Sequence, residues 1–172
     1  VQFHNSPMSD VDVVCDQNHL PFSAHYDAVI SPLSLYFAKS PKAHLNQLIS
    51  ILKPGGQLVL TTFGHYSLHE LRTLLTGNTN LELLEFIHPA QLKSWLPAQG
   101  AREVHEDWIT LPYKNLFDFF HDLKELNMSP FLTNRSQLSI CDIKRIFQAF
   151  PGNLTFQLIT ITYKKPHLMR DE

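Results

Sequence analysis

Several things are scarce in this 172-residue sequence. Cysteine appears twice, as Cys15 and Cys141, too few and too far apart for a disulfide framework or a thiolate metal cluster. Cys15 sits inside an apolar run and reads as a buried free thiol, which suits a reducing cytoplasm. Charge of one sign is missing too: 14 Lys and Arg face 16 Asp and Glu for a formal net charge of −2, and the basic residues are scattered. That balance argues against a nucleic-acid partner, which needs cations gathered on one face. Long apolar runs are absent, since stretches such as Leu58 to Phe63 cannot cross a bilayer, and the N-terminus has no basic segment leading into an apolar one. No membrane association is expected, and the protein reads as soluble, unexported and cytoplasmic. Glycine is sparse, with six residues and no G-x-G run. His65 and His69 stand four apart, but they straddle a helix start and no H-E-x-x-H or cysteine pair accompanies them, so no metal site is expected.

What is present can build a core: 44% of the residues are hydrophobic and 11% aromatic, enough for one globular domain over residues 1–172. Val11 to Cys15 is short and β-branched, a strand that delivers Asp16 to its carboxyl end. Tyr26 to Ile30 is a second strand, ending at Ser31. Ser40 as N-cap and Pro41 as first helical residue start a helix carrying Leu45, Leu48, Ile49 and Leu52, which Pro54-Gly55-Gly56 stops. Gln57 to Phe63 is a near-continuous apolar strand. Ser67-Leu68-His69-Glu70 has the form of a capping box, Pro89 opens a short helix, and Arg102 to Leu111 is a strand. Two amphipathic helices follow, marked by Leu116, Phe119, Phe120, Leu123 and Leu126 and then by Ile140, Ile143, Ile146, Phe147 and Phe150. Leu154 to Tyr163 closes the chain as a strand. The alternation predicts an α/β fold with a mostly parallel sheet and an antiparallel C-terminal edge.

Ligands in open α/β sheets bind beyond the carboxyl ends of the strands, which directs attention to Asp16, Ser31 and Gly64-His65-Tyr66. Asp16 with Leu20-Pro21-Phe22, Tyr26-Asp27, and Leu52-Lys53-Pro54-Gly55-Gly56 together resemble class I S-adenosylmethionine-dependent methyltransferases, whose fold is Rossmann-like. Further along, Thr61-Thr62-Phe63, Ser67 to Leu71, Phe119 to Lys124 and Leu132 to Leu138 resemble the biotin-pathway enzymes that methylate the free carboxyl of malonyl-acyl carrier protein. A group of mitochondrial complex I assembly proteins shares the Phe63-Gly64 and Leu68-His69-Glu70-Leu71-Arg72 pattern.

The resemblance implies S-adenosylmethionine as cofactor. Asp16 would accept a hydrogen bond from the adenine amino group, Gln17 would add main-chain contacts, and Ser31 and Leu33 would line the groove; the alternative for Asp16 is a turn cap. Pro32 departs from the pattern because it cannot donate a backbone hydrogen bond. Around the acceptor, His65, Tyr66, Lys124 and Arg135 are the available groups for a malonyl carboxylate, the alternative for each being an ordinary loop or solvated helix end. Methyl transfer to a carboxylate needs no strong base, so no catalytic residue is assigned. Residues 112–150 would form a helical, lid-like insertion whose Phe117, Phe119 and Phe120 either cover an acyl channel or pack in the core. Lys144 and Arg145 could meet an acidic carrier protein. The family's Gly-rich loop and its two strands are missing, so the expectation is a chain that lacks half a cofactor site, with upstream sequence lost or an N-terminal segment supplied by pairing. Without those strands, Val11 to Cys15 would be parted from Tyr26 to Ile30 by a gap edged with unpaired backbone. The competing expectation is an inactive remnant or assembly factor that keeps the fold to bind a protein partner.

Overall fold

A computed structural model describes residues 3–4, 13–14, 16, 20–22, 26–75, 82–83, 85–125, 132–133 and 140–167. The elements are β1 (Phe3–His4), β2 (Val13–Val14), β3 (Tyr26–Pro32), α1 (Ser34–Phe37), α2 (Pro41–Ser50), β4 (Leu52–Phe63), α3 (His69–Leu75), β5 (Glu82–Leu83), α4 (Pro89–Trp95), β6 (Ala101–Pro112), α5 (Leu116–Glu125), β7 (Leu132–Thr133), α6 (Ile140–Gln148) and β8 (Asn153–Lys164). Four strands form the main sheet in the order β3-β4-β8-β6, while β1 pairs with β2 in parallel and β5 with β7 in antiparallel. By compactness the chain divides into one unit of residues 1–63, 88–107 and 159–172 and a second of 64–87 and 108–158. Among the described residues no helix is long and apolar enough to span a membrane.

Hydrogen bonds fix the strand directions. β3 and β4 run parallel, with Val29 opposite Leu58 and Ser31 opposite Leu60. Gly55 donates to Lys165 at one end of β4 and Gly64 to Gln157 at the other, so β8 descends as β4 ascends. Thr110 meets Thr155 while Tyr113 donates to Gly152 and Tyr163 reaches Gln99, which sets β6 against β8 in the same sense. The antiparallel C-terminal strand is therefore β8, and it lies between β4 and β6, leaving β6 at the end of the sheet. β3 is the other end strand, and β2 belongs to a separate pair.

Two sequence expectations are corrected locally. Pro54-Gly55-Gly56 does not stop α2 by a turn; it lies inside β4, where Tyr26 faces Leu52 but Ala28 faces Gln57, so the extra residues of β4 form a bulge. Gly56 fits there because a Cβ would stand 2.9 Å from the Tyr26 carbonyl oxygen and 3.0 Å from that of Lys53. Lys165 lies at the end of α2: its Nζ donates to the Ile49 carbonyl in the last helical turn at 3.3 Å and to the Leu52 carbonyl at the start of β4 at 2.7 Å, placing a cation at the helix's negative end. The reciprocal capping-box bonds are not what the two side chains make: the Ser67 hydroxyl turns to the main chain of β8, and the Glu70 carboxylate accepts from Thr155 of β8 as well as from its own N–H.

The cores follow the expected spacings. In α2, His44, Leu45, Leu48 and Ile49 are buried, α1 and α2 pack on β4, and Leu58 and Leu60 of β4 are themselves buried. Each such leucine contributes about 1.5–3 kcal/mol relative to exposure. Leu116, Phe119 and Leu123 form the buried stripe of α5.

Candidate active site

In the first unit the informative place is the carboxyl end of β3. Ser31 is buried, and its hydroxyl donates to Ser34 Oγ at 2.6 Å, which in turn lies 3.1 Å from Nε2 of the buried His44. The strand end is thus pinned to α1 and α2 by a chain of three polar side chains. Leu33 follows with φ of 51°, and its N–H is bonded to the Thr61 carbonyl at 2.9 Å. The Ser31 hydroxyl and the Leu33 amide are therefore engaged inside the protein. Asp16 is exposed beyond β2, so it and Ser31 come from the ends of strands in different sheets. Gln17 lies outside the described residues.

In the second unit the chain that leaves β4 is held residue by residue. Gly64 N–H donates to the Gln157 carbonyl at 2.8 Å, His65 N–H to Ile87 at 3.2 Å, Tyr66 N–H to Gln157 Oε1 at 3.1 Å, Ser67 N–H to Gly64 at 2.9 Å and Leu68 N–H to Thr155 at 2.7 Å. Ser67, fully buried, both donates its hydroxyl to the Gln157 carbonyl at 3.1 Å and accepts the Gln157 N–H at 3.0 Å. Glu70 closes the set by accepting the Thr155 N–H at 3.1 Å. Burial works against ionisation of Glu70, but the hydrogen bonds from Thr155 and from its own backbone, helped by His69, outweigh it and hold the carboxyl below its ordinary range.

The rigid loop presents two rings. Tyr66 is 52% exposed, stands edge-on to His65 with centroids 5.3 Å apart, and tilts against Trp108, itself 54% exposed, at 6.2 Å. His69 is exposed at the start of α3 and faces Glu70 at 3.6 Å. Among the described residues no cluster of three His, Cys, Asp or Glu is arranged to hold a metal. Lys124 is exposed in the last turn of α5, Lys144 and Arg145 are exposed on α6, and Arg135 lies outside the described residues. Of the three aromatic residues assigned to a lid, Phe119 is wholly buried against Tyr113 and Phe120, whereas Phe117 is 68% exposed and stacks on Phe147 at 4.3 Å. Sequence reasoning missed Gln157, Trp108, Ser34 and His44. The one legible signal was Gln157, a glutamine in a strand otherwise dense in Thr, Ile and Phe.

Residues 3–106 match the methyltransferase domain family. The mouse mitochondrial arginine-hydroxylase NDUFAF5 is 30% identical over 138 residues, covering 74% of this chain and 40% of that protein. The malonyl-[acyl-carrier protein] O-methyltransferase of Magnetococcus marinus is 26% identical over 153 residues, covering 88% of this chain and 56% of that protein. The chain thus spans about two fifths to just over half the length of these curated relatives. The YcgJ protein of Bacillus subtilis has a similar fold, with a TM-score of 0.56, 12% identity, and coverage of 90% of this chain and 70% of that one.

Proposed function

The chain belongs to the methyltransferase domain family, and on that premise we propose that it serves S-adenosylmethionine-dependent methyl transfer to the free carboxylate of a carrier-bound malonyl group. The family match over residues 3–106, which takes in Asp16, Ser31, Leu33, His65 and Tyr66, carries the methyltransferase part of the reading, and the 26% likeness to the malonyl-[acyl-carrier protein] O-methyltransferase supports the acceptor. The residues present fit part of the cofactor. An exposed acid follows a parallel strand at Asp16 and a tightly held turn follows β3, but no Gly-rich turn occurs in the sequence. When bound, the cofactor supplies an electrophilic methyl on a sulfonium. Asp16 would accept the adenine amino group, and Ser31 and Leu33 would line the groove. His65 and Tyr66 would orient the carboxylate and exclude water, for which a loop with every N–H satisfied from Gly64 to Leu68 is suited. A carboxylate is already ionised at neutral pH, so no proton has to be removed before transfer. Lys144 and Arg145 are exposed cations suited to an acidic carrier protein.

A second reading is favoured by the higher identity to the arginine-hydroxylase. The half-exposed Tyr66 and Trp108 rings could stack a guanidinium as readily as they orient a carboxylate. Mass spectrometry separates the two: the protein is incubated with S-adenosylmethionine and malonyl-acyl carrier protein, or with an arginine peptide, dioxygen and an electron donor that takes the second oxygen atom to water. A carrier gaining one methyl is the expected result. An arginine gaining one oxygen, or cofactor binding with no modified carrier, overturns the first reading. Calorimetry with S-adenosylhomocysteine tests the partial fit, and tight binding by this chain would overturn the claim that half the site is missing.

A further inference from the structure

We infer that Gln157 is the positioning residue for the loop of His65 and Tyr66, an inference that rests on the reading above for what the loop does to an acceptor. Gln157 sits on β8, about ninety residues beyond the loop, and is wholly buried. It bonds the loop through three different groups: its carbonyl takes the Gly64 N–H and the Ser67 hydroxyl, its N–H goes to Ser67 Oγ, and its side-chain oxygen takes the Tyr66 N–H. The first two use the main chain and would survive substitution. The third depends on the side chain alone, and it falls on the residue whose ring faces Trp108.

Gly64 supplies an independent reason. A Cβ there would collide with Oε1 of Gln157 and stand 2.5 Å from Cδ and 2.9 Å from Cγ. Loop and side chain therefore share one volume: the glycine exists so that the amide can pass over it to reach the next turn. The donor is a backbone N–H, so the amide must present its oxygen, and that requirement fixes the orientation of the whole group. β8 accommodates this by breaking its alternation at this point, with Phe156 and Gln157 both buried. A glutamine that merely filled the core would need none of these features. Acting through Tyr66 and His65, Gln157 holds the rings in one pose before an acceptor arrives, and a displaced ring loses catalytic efficiency steeply.

The test uses Trp108 as reporter, in a Trp95→Phe background that leaves it the only tryptophan. Gln157→Met keeps the length but removes the acceptor; Gln157→Glu keeps an oxygen at the same place. The expected result is a shift of Trp108 emission with greater acrylamide quenching in Q157M, largely reversed in Q157E. In parallel, kcat/KM for the acceptor should fall about 10–100-fold in Q157M while affinity for S-adenosylhomocysteine holds. Unchanged Trp108 emission in a folded Q157M overturns the inference. A shifted emission with unaltered acceptor kinetics supports the positioning and instead refutes the placing of the acceptor at this loop. Amide exchange in the unaltered protein decides the matter if Q157M does not fold. Slow exchange of the Tyr66 N–H supports the inference, and exchange as fast as an open loop overturns it.

Discussion

Replacing Ser67 by alanine removes one hydroxyl that holds the loop after β4 to β8. Ser67 is fully buried, and its Oγ serves the Gln157 main chain twice, as donor to the carbonyl and as acceptor of the N–H. The losses are unequal. The Gln157 carbonyl still receives the Gly64 N–H at 2.8 Å, whereas its N–H loses the oxygen 3.0 Å away in a place no water reaches. An unsatisfied buried donor costs about 1–3 kcal/mol, and the void left by one oxygen atom is small, so the cavity adds little to it. With about 2–4 °C of melting temperature per kcal/mol for a chain of this size, S67A should melt about 2–12 °C lower. Ser94 supplies the control, since its hydroxyl also donates to a main-chain carbonyl, that of Gln91 at 2.6 Å, but in solvent. Ser94→Ala should change melting by about 1 °C or less, because water replaces the lost partner. Thermal unfolding of the two variants side by side checks the argument, and equal melting temperatures would refute it.

The acid limb of stability should carry Glu70. Its folded pKa is lowered from an ordinary 4.5, so its contribution is present above that value and is lost as pH falls through the folded pKa; E70Q should flatten that limb in pH-dependent urea titrations, and an unchanged profile sinks the assignment. Phe119→Ala should destabilise by about 3–5 kcal/mol, whereas Phe117→Ala should stay near zero in stability and, if the helical segment covers an acyl channel, raise KM for a carrier-bound acceptor. Lys165→Met should lower stability by about 1–2 kcal/mol in chemical denaturation, through loss of a charged donor to the Ile49 carbonyl at the end of α2 and the Leu52 carbonyl at the start of β4. Gly64→Ala and Gln157→Ala should be strongly non-additive in a double-mutant cycle, since the second substitution removes the atoms with which the first collides.

The elements that were legible in the sequence are those whose cause is local. Pro41 after Ser40 opens α2, Pro89 opens α4, the Leu116, Phe119 and Leu123 spacing makes α5, and the β-branched run makes β8, because each needs only neighbours within a few residues. Ser31 shows the limit. Its position after a strand was readable, but the direction of its hydroxyl was set by Ser34 and His44, which turn it inward. Trp108 was hidden for a related reason: a lone tryptophan in an exposed end strand acquires meaning only when Tyr66 tilts against it.

Ser67 and Glu70 carry that point furthest. Their spacing has the form of a helix cap, and a helix does begin at His69, so the local rule found the right boundary. Yet both side chains reach β8, some eighty-five to ninety residues later in the chain, where they hold Gln157 and Thr155. The same two residue types that could cap a helix from within can anchor it from outside, and hydrogen-bonding capacity alone does not distinguish the cases. What decides is burial. A Ser hydroxyl with no solvent access takes the partners geometry offers, and here those are the main-chain groups of an adjacent strand. The ring-bearing loop is consequently tied to β8 through Gln157 and Thr155, and a substitution at Gln157 acts on Tyr66 through the N–H that its side chain accepts.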